Sequence, residues 1–331
     1  MPDSQIKTVL VTGANGFIGS RVCRLLIASG YAVRIVCRET SDLRLLKGIP
    51  YSKAVADITR PETLPAAINE VDYVIHLAGS ISAKDEDAFL RVNRQGTLNL
   101  ITAVRDHHPE LKKFVLVSSV AACGPASGTP RREEDPSAPL TAYGRSKLAG
   151  EEVLRPFYDQ IPITIIRPPA VYGPGDRAIL TLFSLTRRGF KPYMAGGHNR
   201  VHMVYVDDLA LGIKAAMESE QSAGQTYFIA ETDSHTVREM LNIMADLQGR
   251  KGIGLALPFW LLDFFAFVSE FFSKMVGRAP LFSRDKVREL TSDWKLDLSK
   301  ARRQLEFASK IDFTTGARIT IDWYVREGWL K

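Results

Sequence analysis

Thr8-Val-Leu-Val-Thr-Gly-Ala-Asn-Gly-Phe-Ile-Gly19 is the stretch whose reading decides the fold. A short apolar run leads into a glycine-rich turn, and the turn opens a helical pattern that continues to Ser29 and stops at Gly30. Tyr31 to Cys37 then reads as a second strand, Val71 to Ile75 and Phe114 to Val117 as further buried strands, and Ile163 to Ile166 as another. Phe89 to Val104 carries a helical pattern between two of them. Apolar runs without polar alternation belong to strands covered on both faces, and strands alternating with helices belong to a parallel sheet. The expected fold is therefore α/β, a Rossmann-type doubly wound parallel sheet, followed by a smaller mixed α/β substrate-binding domain.

The regular alternation weakens after about Tyr172. Ala178 to Arg188 and Val237 to Gln248 read as helices, the second with Thr236 and Glu239 spaced as a capping box. Val201 to Val206 and Thr226 to Ile229 read as strands, and Leu255 to Met275 as an apolar, aromatic helix. The expected division is 1–171 for the dinucleotide-binding domain, with 201–229 returning to it, and 172–200 with 230–331 for the substrate domain. Gly124 to Leu140, rich in Pro, Ser and charge, is the long loop.

The composition excludes several classes. The chain has 331 residues, 45% hydrophobic and 24% charged, with a formal charge of +6. That is globular composition, and its basic pairs are scattered rather than clustered, so no nucleic-acid partner is expected. Three cysteines (Cys23, Cys37 and Cys123) and six histidines show no metal-binding spacing, so no metal is expected. A polar start running directly into the first strand suggests no signal peptide, and with the cysteine usage implies a cytoplasmic setting. Leu255 to Phe272 is interrupted by Pro258, Asp263 and Glu270, which makes it a poor spanning helix. Asp263, Glu270 and Lys274 recur near one helical face, and the remaining surface holds more Phe, Trp and Leu than one buried stripe requires. Two readings compete: a core helix, or a helix that walls an apolar pocket and gives peripheral membrane contact through 255–276.

Chemistry-bearing residues fall at the strand ends. The glycine turn lets backbone amides approach a pyrophosphate at a helix N-terminus. Where an acidic residue would grip the ribose of NAD, the second strand ends in Cys37-Arg-Glu-Thr-Ser41. The Arg38 guanidinium suits a 2′-phosphate, so NADP(H) is favoured over NAD(H), with Glu39 as a competing ribose ligand and a plain surface arginine as the bland alternative. Tyr143-Gly-Arg-Ser-Lys147 places a phenol and an ammonium on one helical face. The ammonium would favour the phenolate and lower the Tyr143 pKa, tuning it for acid–base work. The spacing alone is common; it gains weight from Ser118-Ser119 at the end of the preceding strand.

Together these pieces resemble the extended short-chain dehydrogenase/reductases over nearly the whole chain. The matching segments are Thr12 to Gly19, Asp57-Ile58, His76 to Gly79, Asn93 to Thr97, Val117 to Gly124, Tyr143 to Lys147, Arg167 to Gly175, Val206-Asp-Asp-Leu-Ala210, and the C-terminal Trp323-Tyr with Gly328. The resemblance implies Ser119, Tyr143 and Lys147 as catalytic residues. It implies cofactor contacts from Gly13, Asn15, Gly16, Phe17, Ile18, Gly19, Arg38, Asp57, Ile58, Leu77, Ala78, Gly79, Asn93, Ser118, Tyr143, Lys147, Pro168, Ala170 and Val171. It also implies a homodimer built on the helices after Asn93 and around Tyr143. Ser119 is followed by Val120 and Ala121, not by the Asp-Glu pair that the family's dehydratases use. Many sugar-nucleotide members carry an Arg at the position of Val201, with Arg200 here one step off. The character of the chain is nearer to dihydroflavonol reductases and 3β-hydroxysteroid dehydrogenases, which implies a small-molecule apolar carbonyl or alcohol as substrate. The alternatives are an NAD-dependent sugar-nucleotide epimerase and, in another class, a non-catalytic dinucleotide-sensing protein.

Overall fold

The computed structural model describes residues 6–276 and 283–330. β1 (Thr8–Thr12) feeds α1 (Phe17–Ala28), and β2 (Ala32–Cys37), β3 (Ser52–Val55) and the short α2 (Pro65–Ile68) lead to β4 (Tyr73–His76). α3 (Glu86–Leu90) runs through a π-turn, Arg91–Gln95, into α4 (Gly96–His107), which returns to β5 (Lys113–Val117). α5 (Ala142–Glu152) then leads to β6 (Ile163–Arg167) and the short β7 (Ala170–Tyr172). Seven parallel strands form the central sheet; the seventh, at one edge, comes from later in the chain. β1 lies inside the sheet, with β2 and β3 on one side and β4, β5, β6 and the edge strand on the other.

Successive residues of β1 and β5 point to opposite faces. Val9 and Val11 pack with Val115 and Val117 against Cys23 and Leu26 of α1, while Leu10, Phe114 and Leu116 pack against Leu100, Ile101 and Val104 of α4. Both faces are covered, which is why these strands read as unbroken apolar runs.

Beyond β7 the order is α6 (Leu180–Arg187), β8 (Phe190–Met194), β9 (Arg200–Val201), β10 (Met203–Tyr205) and α7 (Val206–Glu218). β11 (Gln225–Phe228) takes the sheet edge beside β6. There follow β12 (His235–Thr236), α8 (Val237–Leu247), β13 (Ile253–Leu257), α9 (Phe259–Val276), α10 (Arg284–Thr291), α11 (Ser299–Gln304) and α12 (Phe313–Arg326). Tyr172, Phe183, Met240, Met244, Phe313 and Tyr324 centre a separate cluster between α6, α8 and α12. The capping box of α8 forms as its sequence predicts. The Val-Asp-Asp motif holds the two regions together: the Asp208 carboxylate accepts from the amides of Lys310 and Ile311 at 3.0 and 2.9 Å, and Asp207 faces Arg21 of α1 at 3.7 Å.

Four element expectations change. β3 was invisible because it is an edge strand with three exposed residues of four and no apolar run. The helix expected over Phe89–Val104 is interrupted by the π-turn around Asn93. The strand expected over Val201–Val206 breaks at His202, whose amide donates to the Trp294 carbonyl at 3.2 Å and whose Nδ1 accepts from Leu296 at 3.1 Å, and Val206 opens α7. Leu255–Leu257, expected as helix, pairs in parallel with β8 instead, and the helix starts only after Pro258. Proline disfavours the helical conformation in the residue before it and fits the start of a helix.

Candidate active site

All seven sheet strands run the same way, so the loops after them gather along one edge, where open α/β sheets bind ligands. The loop after β1 is held against the loop after β4. Leu77 donates to the Thr12 carbonyl at 3.2 Å and Ala78 to Thr12 Oγ1 at 3.1 Å. Gly13 sits at φ +70°, where L side chains are strained, and a Cβ there would lie 2.7 Å from the Ala78 nitrogen. Gly16 caps α1 without any side-chain acceptor, so the leading amides of Phe17 and Ile18 point from the helix end with its positive dipole. Asn15 is half-buried beside them, and Gly19 is buried in the first turn.

Thr12 and His76 are site-supporting residues that the motif reading passed over as side chains. His76 is buried, with Nδ1 2.6 Å from Thr12 Oγ1 and Nε2 3.0 Å from Thr97 Oγ1. Burial, and then the charge of Lys147, hold its pKa down at about 3, so the ring is a neutral link between β1, β4 and α4. Asn93 lies in the π-turn. Its Oδ1 accepts from Ser80 at 2.7 Å, and its Nδ2 donates to the Ser80 carbonyl at 3.0 Å and to Ser146 Oγ at 2.8 Å. It therefore fixes the 79–80 turn to α5.

β5 ends in Ser118 and Ser119. The Ser119 side chain accepts from the Ala121 amide at 3.1 Å and caps a tight turn over Val120–Ala122, which is braced by the Val120 amide on the Pro168 carbonyl at 3.0 Å. Tyr143 lies near enough to the Ser119 hydroxyl for that group to lower its pKa, and its ring stands 6.0 Å from that of Phe89. Lys147 is buried one turn on and donates from Nζ to the Val117 carbonyl at 2.8 Å, with Gly79 and Asn93 beside it. α5 is fixed at both ends. Arg145 grips Glu86 of α3 through two 2.8 Å bonds, and Glu151 forms a buried pair with Arg167 at the end of β6, the shortest contact 2.6 Å.

One residue the motif reading passed over is Gly144. A Cβ there would lie 2.4 Å from the Ala121 carbonyl oxygen. Its lack of a side chain lets α5 close on the Ser119 turn, bringing Tyr143 onto Ser119. The signal was inside the Tyr-Gly-x-x-Lys spacing but cannot be read without knowing what α5 packs against.

The expected lowering of the Tyr143 pKa is not found. Burial raises it, the Ser119 hydroxyl works the other way, and Glu289 of α10 raises it further. Lys147 is turned to the Val117 carbonyl, and burial lowers its own pKa to about 8 although Glu151 opposes this. The resting tyrosine is thus a neutral phenol beside a still largely protonated lysine at neutral pH.

At the other end of the edge, Arg38 is exposed, with its amide on Ser41 Oγ at 3.0 Å. Asp57 follows β3 and accepts from the Thr59 amide and hydroxyl at 2.9 and 2.8 Å. Burial works against its carboxylate, but the Thr59 bonds and the Arg38 and Arg60 guanidiniums hold its pKa below the usual range. Arg60 thus joins Arg38 as a second cation here. Ile58 is different: its side chain is core, packed on Gly96, so it presents no side chain to this edge. Pro168 is buried, Val171 half-buried and Ala170 exposed at the border of the site.

These residues fit a dinucleotide. The glycine turn leaves a helix N-terminus uncapped, and buried Ser118 Oγ has no partner among the described residues. Among the same residues no His, Cys, Asp or Glu cluster is placed to hold a metal ion.

A close-packed glycine turn on a seven-stranded parallel sheet, with Ser, Tyr and Lys converging beside it, defines a nucleotide-dependent α/β enzyme class. The chain belongs to the NAD dependent epimerase/dehydratase family, whose profile matches residues 9–230. It is 29% identical to the ceramide reductase of Caulobacter vibrioides, over 97% of this chain and 96% of that one. It is 26% identical to the UDP-glucose 4-epimerase of Vibrio cholerae, over 90% of each chain. The crystal structure of gox2253 superposes with a TM-score of 0.84 at 26% identity, covering 98% of this chain and all of that one.

Proposed function

We propose that this chain is an NADP(H)-dependent oxidoreductase that interconverts a carbonyl and a secondary alcohol on a largely apolar substrate. The observation that carries this reading is the Ser119–Tyr143–Lys147 group at the end of β5, together with the engagement of Arg200, which stands one step from the position where many sugar-nucleotide members carry an arginine. Arg200 is spent on Ser234, through Nε to Oγ at 3.1 Å and a second contact to the Ser234 carbonyl. Val201 packs into apolar clusters. The sugar-nucleotide epimerase alternative lacks that support, although a UDP-glucose 4-epimerase stands among the relatives. The similarity to a ceramide reductase agrees with a long-chain lipid substrate.

The roles are those that the family resemblance implies for these residues, and the geometry described above supports them. Gly13 to Gly19 would take the pyrophosphate, and Arg38 with Arg60 would meet a 2′-phosphate. Lys147, Ser118 and the Leu77–Gly79 turn would flank the nicotinamide ribose, with Pro168 and Val171 at the ring. The bound nicotinamide supplies or accepts the hydride. Ser119 would hold the substrate oxygen by hydrogen bonding. In reduction Tyr143 would give its phenolic proton to that oxygen, and Lys147 would stabilise the phenolate left behind. The neutral resting phenol suits this direction. The chain is expected to work as a homodimer through α4 and α5, in the cytoplasm or at a membrane surface.

The test is NADPH consumption against a panel of carbonyls running from short polar ketones to long-chain and polycyclic ones. Stoichiometric oxidation of NADPH by the apolar members supports the reading. Sugar-nucleotide interconversion without net redox would replace it with epimerase.

A further inference from the structure

A soluble helix normally turns its polar face to water. α9 instead turns an aromatic face to water as well as burying an apolar one. Leu262 and Ala266 face inward onto Val287 of α10, and Glu270 reaches the same helix, accepting from the Arg284 amide at 2.8 Å. The outward face is aromatic, with Trp260 69% exposed, Phe264 and Phe265 each 55%, and Phe267 49%.

The two-stranded β8–β13 sheet, whose second strand runs into α9, carries exposed apolar residues as well. Lys191 and Tyr193 point to α8, where both reach Asn242 Oδ1 at 2.9 Å. The opposite face carries the register pairs Phe190 with Ile253 and Pro192 with Leu255. Ile253 is 72% exposed, and Phe190 and Leu255 are each 55% exposed. Exposed apolar side chains thus recur on a helix and on the small sheet that leads into it, more than scattered surface hydrophobics explain.

The border of this sheet is cationic. The turn before β8 and the turn before β13 meet, with the Ile253 amide on the Gly189 carbonyl at 2.7 Å. This brings exposed Arg188, Arg250 and Lys251 to one end of the sheet, with Asp246 as an acidic neighbour. Aromatic side chains flanked by basic ones suit the headgroup–acyl boundary of an anionic bilayer. No helix among the described residues is long and apolar enough to cross one.

We propose that α9 and the β8–β13 sheet form a peripheral docking surface for an anionic phospholipid bilayer. α9 packs on α10, and α10 carries Glu289, which lies close enough to Tyr143 to act on it electrostatically. The surface that meets lipid is thus one helix away from the proposed proton donor. This deepens the proposed function, since an apolar lipid substrate would be met at the bilayer, but its readout does not depend on turnover.

The experiment is co-sedimentation of the full chain with vesicles of equal parts phosphatidylcholine and phosphatidylglycerol, with pure phosphatidylcholine in parallel. Binding should favour the anionic vesicles and weaken at high salt. The double variant Trp260→Ser/Phe264→Ser should partition about tenfold less or lower, and Arg250→Glu/Lys251→Glu should lose the anionic preference. In the parent protein, brominated acyl chains should quench tryptophan fluorescence, a readout that needs no variant. Absence of binding and of quenching with either vesicle overturns the proposal. So does a self-associating parent that becomes monomeric in the serine variant without vesicle binding, because the patch is then a protein interface. Vesicle binding without NADPH turnover of any ketone would leave the docking surface standing and remove only the proposed reaction.

Discussion

Gly144→Ala tests the packing that assembles the proposed catalytic group. The added Cβ would sit 2.4 Å from the Ala121 carbonyl oxygen, and both atoms belong to main-chain elements that cannot rotate away. Restoring an ordinary contact needs a shift of about 1 Å between α5 and the Ser119 turn, and a misplacement of that size at reacting groups costs about 10²-fold in rate. That corresponds to about 2.7 kcal/mol of transition-state stabilisation. Alanine is also the better helix former by about 1 kcal/mol, which offsets part of the strain, so the melting temperature should move little. Steady-state kinetics on a reduced ketone should show kcat down about 100-fold, while NADPH affinity, set mainly by the β1 turn and Arg38, stays within a few-fold. A Gly144→Ala enzyme that keeps its parent's kcat would refute the inference that this close approach positions Tyr143.

Three further outcomes follow from the same geometry. Arg38→Ala should weaken NADPH binding by about tenfold or more while sparing NADH, since a charge-assisted contact is worth roughly 1.5–3 kcal/mol; equal loss for both nucleotides in a fluorescence titration would assign Arg38 elsewhere. Burial holds His76 and His202 at about 3 and about 4, below the ordinary imidazole value, so the native state binds fewer protons and stability is complete only above about pH 7. As pH falls from ~6.5 to 5, each should cost about 2 kcal/mol, with His235, whose partner Glu231 raises its pKa, working the other way. Urea unfolding at pH 7 and 5 checks this, and a flat profile contradicts it. Because the Tyr143 pKa is raised above 10, alcohol oxidation should still be climbing at pH 10, whereas ketone reduction should hold level through neutral pH; an oxidation optimum near 7 would mean a different base.

The sheet and the candidate site were legible for one physical reason. Strands buried on both faces must be apolar throughout, and glycine turns and helix-face spacings leave fixed marks, so β1, β5, the Gly13–Gly19 turn and the Tyr143/Lys147 pair can be read directly. What could not be read depends on partners distant in sequence. β3 is an edge strand with no apolar signature, Asn93 lies in a π-turn that has none, and Gly144 matters only because Ala121 faces it. The Tyr143 pKa moved opposite to expectation because the i,i+4 spacing shows neither its burial nor that Lys147 turns to Val117. The excess of aromatics between 255 and 276 was visible as composition. Trp260 and Phe264 nevertheless point outward, so they are not core, and only the placement of α10 reveals which face of the helix is covered.

In the proposed reaction, Tyr143 would pass a proton to a substrate oxygen while hydride moves between NADP(H) and an apolar carbonyl. The direct measurement is the rate of NADPH oxidation with a long-chain ketone by the parent protein and by Tyr143→Phe, with NADPH affinity measured alongside. Turnover should fall by about 10²–10⁴-fold with little change in affinity. A Tyr143→Phe protein that oxidises NADPH at near the parent's rate on the same ketone would contradict the account.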